Sequence, residues 1–447
     1  MTQNSNINIS LHAETNIGMV RHGNEDNFLV VDLSTSDTWT VENANAPSDK
    51  LLAYTQGHYG AVIAVSDGMG GALAGEVASQ LAVTIVRDRM LQFQATPSFS
   101  HFPFHERLRL SIEQANHIIH TESQNNVEYT GMGATFTGAG IDGNMAYFAQ
   151  VGDSRCYLIR NNKIAQATKD QSLVSQLVEA GHITEEEAES HTYKNVILQA
   201  LGAQPRVNVI VDRIRLKRDD ILLLCSDGLS GKVKGTEMLT LMQELNWDLK
   251  ASCSALIKLA NERGGEDNIT VVIARIDGEG LEERTPEDPS KGEFVSRDSS
   301  LPDEVDPTQL TFGDEQTLRP DEDIAAKVKD RERSNEVVET QEVQATMLNM
   351  QAITPQMLAQ MSMESAAAET TATAAPPAPI ETPAVSLSAS ASSNSNNSSM
   401  ASHSSGSADS TEEYQGNNSR MITLIVVIIF LVALIGGAIY FFKMQQP

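Results

Sequence analysis

The spacing of hydrophobic residues predicts a sheet-rich domain over residues 1–277. Short segments with many β-branched residues are typical of strands, and here they read GHYGAVIAVSDG, GATFTGAGI, NMAYFAQVGD, SRCYLIR, DDILLLCSDG and DNITVVIARI. Helical spacing of apolar residues predicts helices at GEVASQLAVTIVRDRMLQF and ERLRLSIEQANHIIHTES, and two more near 236–245 and 248–262. Runs of strands interrupted by helix pairs favour an α+β fold with a sheet-on-sheet core and helices outside it.

The pattern changes after residue 277. Residues 278–345 hold 20 acidic and 8 basic residues, and residues 365–419 consist mostly of Ala, Ser, Thr, Asn and Pro. Such composition buries too little apolar surface to offset the entropy of ordering the chain. We therefore expect residues 278–420 to form a disordered linker that is acidic first and then rich in Ser, Thr, Ala and Pro.

One long apolar run lies near the C-terminus. Residues 421–442, MITLIVVIIFLVALIGGAIYFF, contain no charged side chain, and Arg420 and Lys443 bracket them. About 20 apolar residues span a bilayer as a helix; a buried core helix is the competing interpretation. Because residues 1–20 lack the basic start and apolar run of a secretory signal, we expect a single-pass protein of the cell membrane whose N-terminal domain is cytoplasmic.

Composition excludes some classes of function. The 447 residues carry 32 Lys and Arg against 59 Asp and Glu, a formal net charge of −27. Nucleic-acid binding needs cationic surface that replaces counterions, so we expect no nucleic-acid partner. The three cysteines, Cys156, Cys225 and Cys253, are too few and too scattered for a disulfide framework or a thiolate zinc site.

Acidic side chains recur where predicted strands begin or end, next to Gly, Ser or Asn. These residues are Asp26, Asp67, Asp153, Asp227 and Asp267. One Asp-Gly pair after a strand usually marks a turn, but five such positions in one domain suggest a shared role. Carboxylate oxygens and backbone carbonyls suit Mg²⁺ or Mn²⁺, and Gly68 would let its carbonyl approach an ion closely.

A site of this kind is suited to phosphoryl chemistry. Two metals held by carboxylates can lower the pKa of a bridging water and direct it at phosphorus. The substrate's phosphoryl oxygens also need a cation, and Arg21, five residues before Asp26, is the candidate because a guanidinium matches phosphate with two hydrogen bonds. A surface arginine is the alternative interpretation. Cys225, near Asp227, is more typical of a core residue than of a nucleophile.

The order of these motifs resembles the metal-dependent serine/threonine protein phosphatases of type 2C, and their bacterial branch most of all. The motifs are RHGNEDN, SDGMGG, MGATFTGAGI, VGDSRCYLI, KDQS, NVILQALG, CSDGLSG and GGEDNITVV, and they span about residues 15–276. The resemblance implies an α-β-β-α sandwich of two antiparallel sheets flanked by helices. It also implies that residues 1–277 are a catalytic domain with two Mn²⁺ or Mg²⁺ ions.

The resemblance further implies a role for each acidic motif residue. Asp67 corresponds to the bridging metal ligand, and Gly68 gives its carbonyl to one metal. Asp227 and Asp267 correspond to the next metal-binding aspartates. Asp153 matches a residue that, in bacterial members, helps to hold a third, weaker metal together with the aspartate of the SDGL motif.

The remaining motif positions include one departure from the family. Asp26 matches an aspartate that reaches the metal through water, with Glu25 in a shared role, and Arg21 matches the phosphate-binding arginine. Eukaryotic members carry a histidine, often proposed as the general acid, where this chain has Met69, which cannot donate a proton. The proton donor is therefore open between a water molecule and His22.

Two segments and one residue complete the comparison with the family. The segment between the first two motifs, residues 32–59, is longer than is usual in the family and suggests a surface insertion. Residues 171–211 correspond to the flap, a mobile segment beside the site that meets the substrate peptide. Asp170, just before a predicted helix, is expected to be an ordinary helix N-cap.

The leading hypothesis is a membrane-tethered phosphatase that removes phosphate from serine and threonine of cytoplasmic proteins and opposes a Ser/Thr protein kinase. Two alternatives remain: a phosphatase dedicated to one regulatory partner, and a catalytically inactive binding module with the same fold. Loss of a metal aspartate or of the arginine would favour the inactive module, but all are present.

Overall fold

The structure is a computed structural model that describes residues 6–43, 48–96 and 101–296. Its strands are β1 (Asn8–Asn16), β2 (Asp26–Asp32), β3 (Thr38–Thr40), β4 (Ala53–Thr55), β5 (Ala61–Met69), β6 (Gly133–Ala134), β7 (Phe136–Asp142), β8 (Met145–Val151), β9 (Arg155–Arg160), β10 (Lys163–Gln166), β11 (Ile210–Arg215), β12 (Asp220–Cys225), β13 (Ile269–Asp277) and β14 (Glu293–Phe294). Its α-helices are α1 (Asp49–Leu52), α2 (Ala72–Ala95), α3 (Phe104–Asn125), α4 (Leu173–Glu179), α5 (Glu185–Ser190), α6 (Asp227–Ser230), α7 (Gly235–Glu244) and α8 (Leu249–Glu262). Short 3₁₀ helices lie at Val41–Asn43 and Val127–Tyr129.

The strands form two antiparallel sheets. The first sheet has the order β10-β9-β12-β13-β1-β4. The second sheet has the order β14-β11-β8-β7-β5-β2-β3, with β6 paired to the end of β5. Helices α2 and α3 pack on the outer face of the second sheet, whereas α7 and α8 cover the outer face of the first.

Three apolar layers follow from the two-residue period of the strands. In β5, Val62 and Ala64 face the helices, while Ile63 and Val65 face the other sheet. Because both faces of β5 are covered, all of these side chains are buried. The predicted fold of two antiparallel sheets flanked by helices is therefore confirmed.

The predicted surface insertion at residues 32–59 contributes to the core in part. Trp39 and Leu51 are buried between the sheets, and β4 pairs with β1 as an edge strand. Residues 44–47 lie outside the described part of the chain. The interpretation as a surface insertion is wrong for Trp39 and Leu51 because a segment rich in Asn and Ser still supplied two large apolar side chains to the sheet interface.

The structure differs from the predicted linker at its start. Residues 278–296, here called the C-terminal strap, lie against the domain. Leu281 is buried in the core between the sheets. Arg160 donates to the carbonyl of Pro289 at 2.6 Å, and β14 of the strap pairs with β11 at the edge of the second sheet.

Charge pairing explains why this acidic segment is held. Lys217 lies 2.9 Å from Glu282 and 3.0 Å from Asp288. Arg109 donates to the carbonyl of Val295 at 2.8 Å while bound to the buried Glu106. Composition alone does not reveal these partners, since Arg109 on α3 and Lys217 between β11 and β12 are far from the strap in sequence.

The remainder of the predicted linker, residues 297–420, lies outside the described residues, as does the predicted transmembrane segment 421–442. Within the three described ranges, no helix is both long and apolar enough to cross a membrane.

A chain that ends after Asp277 should be less stable than one that ends after Ser296. The shorter chain loses the buried Leu281 and the strap carbonyls that Arg109 and Arg160 bind. Loss of a buried leucine costs about 2–5 kcal/mol, so thermal unfolding should show a midpoint lower by at least about 5 °C. Equal midpoints for the two chains would show that the strap contributes nothing to the fold.

Candidate active site

The ends of four strands bring the predicted aspartates together at one end of the sandwich. In the second sheet, Asp26 at the start of β2 lies opposite Asp67 near the end of β5. In the first sheet, Asp227 follows β12 and Asp267 precedes β13, its neighbour. Because antiparallel neighbours alternate in direction, one strand ends where the next begins, and carboxylates far apart in sequence meet.

A serine joins the two sheets at this point. The Ser226 hydroxyl donates to a carboxylate oxygen of Asp26 at 2.7 Å and accepts from the backbone N–H of Thr270 at 3.0 Å. All three residues are buried. Ser226 therefore holds Asp26 of the second sheet against the ends of β12 and β13 in the first.

Burial and mutual repulsion govern the ionisation of these carboxyls. Burial raises the pKa of Asp26 to about 7, a rise that Ser226 opposes by hydrogen bonding. Burial likewise raises the pKa of Asp227 to about 6, with Asp267 adding to the rise. The pKa of Asp67 is raised well above its usual range by burial and then by the charges of Asp26 and Asp227.

The backbone around Asp67 is tightly held. The Asp67 N–H donates to the Thr135 hydroxyl at 2.9 Å, and the Asp67 carbonyl accepts from the Thr135 N–H at 2.8 Å. The Gly68 N–H donates to the carbonyl of Glu25 at 3.1 Å. A Cβ on Gly68 would lie 2.1 Å from the carbonyl oxygen of Gly75, so this position has no room for a side chain.

Asp153 enters the same group from the turn between β8 and β9. Burial raises its pKa well above the usual range, and the charges of Asp227 and Asp170 raise it further. Arg155 partly offsets these charges and binds Asp170 through two nitrogens, the shorter contact being 2.7 Å. The N-cap of α4 is Ser172, so the interpretation of Asp170 as a helix cap is wrong: its carboxylate is held by Arg155.

Arg21 lies at the rim of the site. Its guanidinium donates to Asp267 at 2.9 Å, and its side chain remains 40% exposed. Burial lowers the pKa of Arg21, but Asp267, Glu25 and Asp67 raise it by more, so the net shift is upward. The arginine is therefore cationic and faces the carboxylates from the solvent side.

Sequence reasoning missed Asn268, which holds the loop that carries Arg21. Its side-chain amide donates to the carbonyls of Ile17 and Gly23, both at 2.9 Å, and its amide oxygen accepts from the Glu25 N–H at 2.8 Å. A signal was available, because the tripeptide Glu-Asp-Asn occurs at residues 25–27 and again at 266–268. The second asparagine is the one that ties the two motifs together.

The donor set fits hard divalent cations. One carboxylate oxygen each of Asp26, Asp153 and Asp227 is buried without a hydrogen-bond partner, although a buried lone pair normally has one. Oxygen donors of this kind are those that Mg²⁺ and Mn²⁺ prefer. Among the described residues, no group of three or more His, Cys, Asp or Glu side chains is arranged to hold a metal ion as it stands. The fit therefore rests on the unpartnered oxygens and on the shared charge.

Comparison with known proteins agrees with this geometry. A family model described as Protein phosphatase 2C matches residues 42–269. The serine/threonine phosphatase stp of Listeria welshimeri is 36% identical over 265 residues, which are 59% of this chain and 95% of the relative. The solved structure of the serine/threonine phosphatase Stp1 from Staphylococcus aureus is 31% identical with a TM-score of 0.51, over 60% of this chain and 96% of that one.

A further solved structure contains metal. The catalytic domain of the serine/threonine protein phosphatase PstP in complex with two manganese ions is 30% identical, over 61% of this chain and 99% of that one, with a TM-score of 0.48.

Fold and site define a phosphatase with acidic groups at the end of a β-sandwich. The chain belongs to the protein phosphatase 2C family. The predicted type 2C serine/threonine protein phosphatase is thereby confirmed at the level of family and enzyme class. The residues that the family model matches begin at residue 42, after Arg21 and Asp26. The placement of these two side chains in the site therefore comes from the structure.

Replacing Asn268 with alanine should weaken the response of the enzyme to phosphate. The change removes two donors and one acceptor that hold the loop of Arg21, at a cost of about 1–3 kcal/mol in stability. Inhibition by inorganic phosphate should become at least several-fold weaker, and the unfolding midpoint should fall. A variant with a lower midpoint but unchanged inhibition by phosphate would show that Asn268 only stabilises the fold.

The chelator-treated protein should lose stability as pH rises from 5.5 to 8. The folded-state pKa values of Asp26 and Asp227, about 7 and about 6, lie above the unfolded value of about 3.9. The stability gained from binding these protons is complete below the unfolded pKa and is lost as pH rises through the folded values. Thermal unfolding in excess EDTA checks this. A midpoint that rises over the same range, or an Asp26→Asn variant with an undiminished pH slope, would contradict it.

Proposed function

We propose that this phosphatase hydrolyses phosphoserine and phosphothreonine monoesters of cytoplasmic proteins while tethered to the cell membrane, and that it opposes a serine/threonine kinase. The observation that carries the reaction is the convergence of five aspartates at one end of the sandwich, with Arg21 at their rim. Family membership agrees with this class of reaction.

The aspartates provide the ligands for divalent cations in this proposal. Two Mn²⁺ or Mg²⁺ ions would be held by Asp67, the Gly68 carbonyl, Asp227 and Asp267, with Asp153 and Asp227 available for a third and Asp26 acting through water. When bound, such cations supply a nucleophilic water at neutral pH. Thr135 and Ser226 keep the Asp67 backbone and the Asp26 carboxylate in place.

Arg21 would hold the phosphoryl group of the substrate. A guanidinium has five N–H donors, and the contact with Asp267 fixes the direction of the group from one side. Because the side chain is partly exposed, its other donors can reach an incoming phosphoryl oxygen. Two parallel hydrogen bonds to phosphate are the geometry that distinguishes arginine from lysine.

A covalent cysteine intermediate does not fit the structure. Cys225, the cysteine nearest the aspartates in sequence, is fully buried, and burial raises its pKa to about 12. The thiol is therefore protonated at neutral pH, and the thiolate is the nucleophilic form. Met69 has no proton to donate to the leaving alkoxide, which is consistent with protonation by water.

Exchange of Asp67 for asparagine should abolish hydrolysis of a phosphothreonine peptide, because the change removes the charge at the centre of the site. Arg21→Ala should lower kcat/KM by about 10²-fold, or ~2.7 kcal/mol, since the nucleophile remains and the phosphate clamp is lost. Arg87→Ala, on α2 and paired with Asp88, is the control and should match wild type. Equal efficiency of Arg21→Ala and wild type would remove the phosphate-binding role.

Membrane tethering is supported by the 22 uncharged residues at 421–442. The expected result is that the full chain sediments with membranes, whereas a chain ending after Ser296 stays in the supernatant and hydrolyses peptides equally well. Protease added to intact cells should leave residues 1–277 uncut. Release of the full chain by salt alone, or external cleavage of the phosphatase domain, would reject this part of the proposal.

A further inference from the structure

The loop between β1 and β2 exposes three large apolar side chains. Ile17, Met19 and Val20 are 37%, 69% and 58% exposed, and together they are here called the apolar ridge. The described residues contain three other exposed large apolar side chains, Tyr59, Val127 and Phe294, which are far apart in sequence. Single exposed apolar residues are ordinary, but a cluster of them commonly marks an interaction surface.

The ridge is fixed in place. The Met19 N–H donates to the Gly265 carbonyl at 2.7 Å. Gly18 has φ +82°, and a Cβ there would lie 2.3 Å from the carbonyl oxygen of Asp267, so the loop packs directly on the Asp267 backbone. A Cβ on Gly265 would lie 2.9 Å from Cγ of Met19, which places the Met19 side chain over that glycine. These contacts hold the backbone of the loop and the Met19 side chain at the surface.

The position of the ridge relates it to the reaction site. Met19 and Val20 directly precede Arg21, and Arg21 binds Asp267 at 2.9 Å. The ridge therefore lies beside the group assigned to the phosphoryl oxygens, on the solvent side of the aspartates.

An ion pair lies at the same rim. Lys232 pairs with Glu266, which lies next to Asp267. Gly265, on which Met19 rests, immediately precedes Glu266. The ridge and the Lys232–Glu266 ion pair thus lie next to each other along residues 265–267, at the entrance to the site.

We propose that the apolar ridge binds a large aliphatic or aromatic side chain that lies next to the phosphorylated residue of the substrate protein. This rests on the proposed placement of the phosphoryl group at Arg21. Once that group is held, the neighbouring residues of the substrate must pass over the rim. An apolar substrate side chain that packs on the ridge removes apolar surface of both partners from water. A charged or small neighbour gains nothing at this surface, so the ridge determines sequence preference.

The test uses the full-length protein in detergent and two phosphothreonine peptides that differ only in a leucine or a serine beside the phosphothreonine. Wild type should favour the leucine peptide in kcat/KM by about tenfold, or ~1.4 kcal/mol. Met19→Ser should reduce this preference to about twofold or less, and Met19→Leu should keep it. Val20→Ser provides a second variant with the same expectation if Met19→Ser fails to fold.

Tyr59→Ser is the matched control, because Tyr59 is also an exposed apolar residue but precedes β5 at the end opposite Asp67; its peptide preference should equal that of wild type. Equal kcat/KM of wild type on the two peptides, or an unchanged preference in both ridge variants, would reject the proposed role of the ridge in sequence preference. Self-association that Met19→Ser abolishes would assign the ridge to a second copy and also overturn it. If wild type hydrolyses p-nitrophenyl phosphate but shows no preference between the two peptides, only the proposed role of the ridge is rejected. If wild type hydrolyses neither p-nitrophenyl phosphate nor the peptides, the proposed function is rejected.

Discussion

The crowding of aspartates at one end of the sandwich is the constraint on which the rest of the structure depends. Desolvation and repulsion together raise the pKa values of Asp26, Asp67, Asp153 and Asp227. A fold that buries like charges in this way destabilises its own ionised state unless cations are supplied. The site is costly for the fold alone, and its oxygens are of the kind that divalent cations prefer.

Neutral polar groups position the carboxylates without neutralising them. Ser226, Thr135 and Asn268 provide hydroxyl and amide contacts between chain segments that are far apart in sequence. A lysine or arginine in their place would form an ion pair and compete with a metal. Hydrogen bonds from neutral donors fix geometry and leave most of the negative charge available. Arg21, a cation at the rim, binds Asp267 from the solvent side.

The C-terminal strap and the apolar ridge lie at the surface of the domain and have different roles. The strap closes the core with Leu281 and adds β14 to the second sheet, so the folded phosphatase extends beyond the last motif residue. The ridge lies at the open end, where Met19 rests on Gly265 beside the reaction site. The strap stabilises the fold, whereas the ridge is exposed to the solvent from which a substrate must approach.

The sequence by itself determined the fold class, the enzyme family and the group of aspartates. Strand and helix periodicity is local, and a motif that ends a strand keeps its place relative to that strand, so Asp67 and Asp227 could be recognised one at a time.

Only the tertiary structure decided which partners these residues have. The pairing of Asp26 with Ser226, the hold of Arg155 on Asp170 and the three contacts of Asn268 join positions separated by 15 to 251 residues. The strap escaped prediction for the same reason: an acidic segment is expected to be solvated until the folded chain places Lys217 and Arg160 beside it. Composition records which charges a segment carries, whereas long-range packing alone decides what neutralises them.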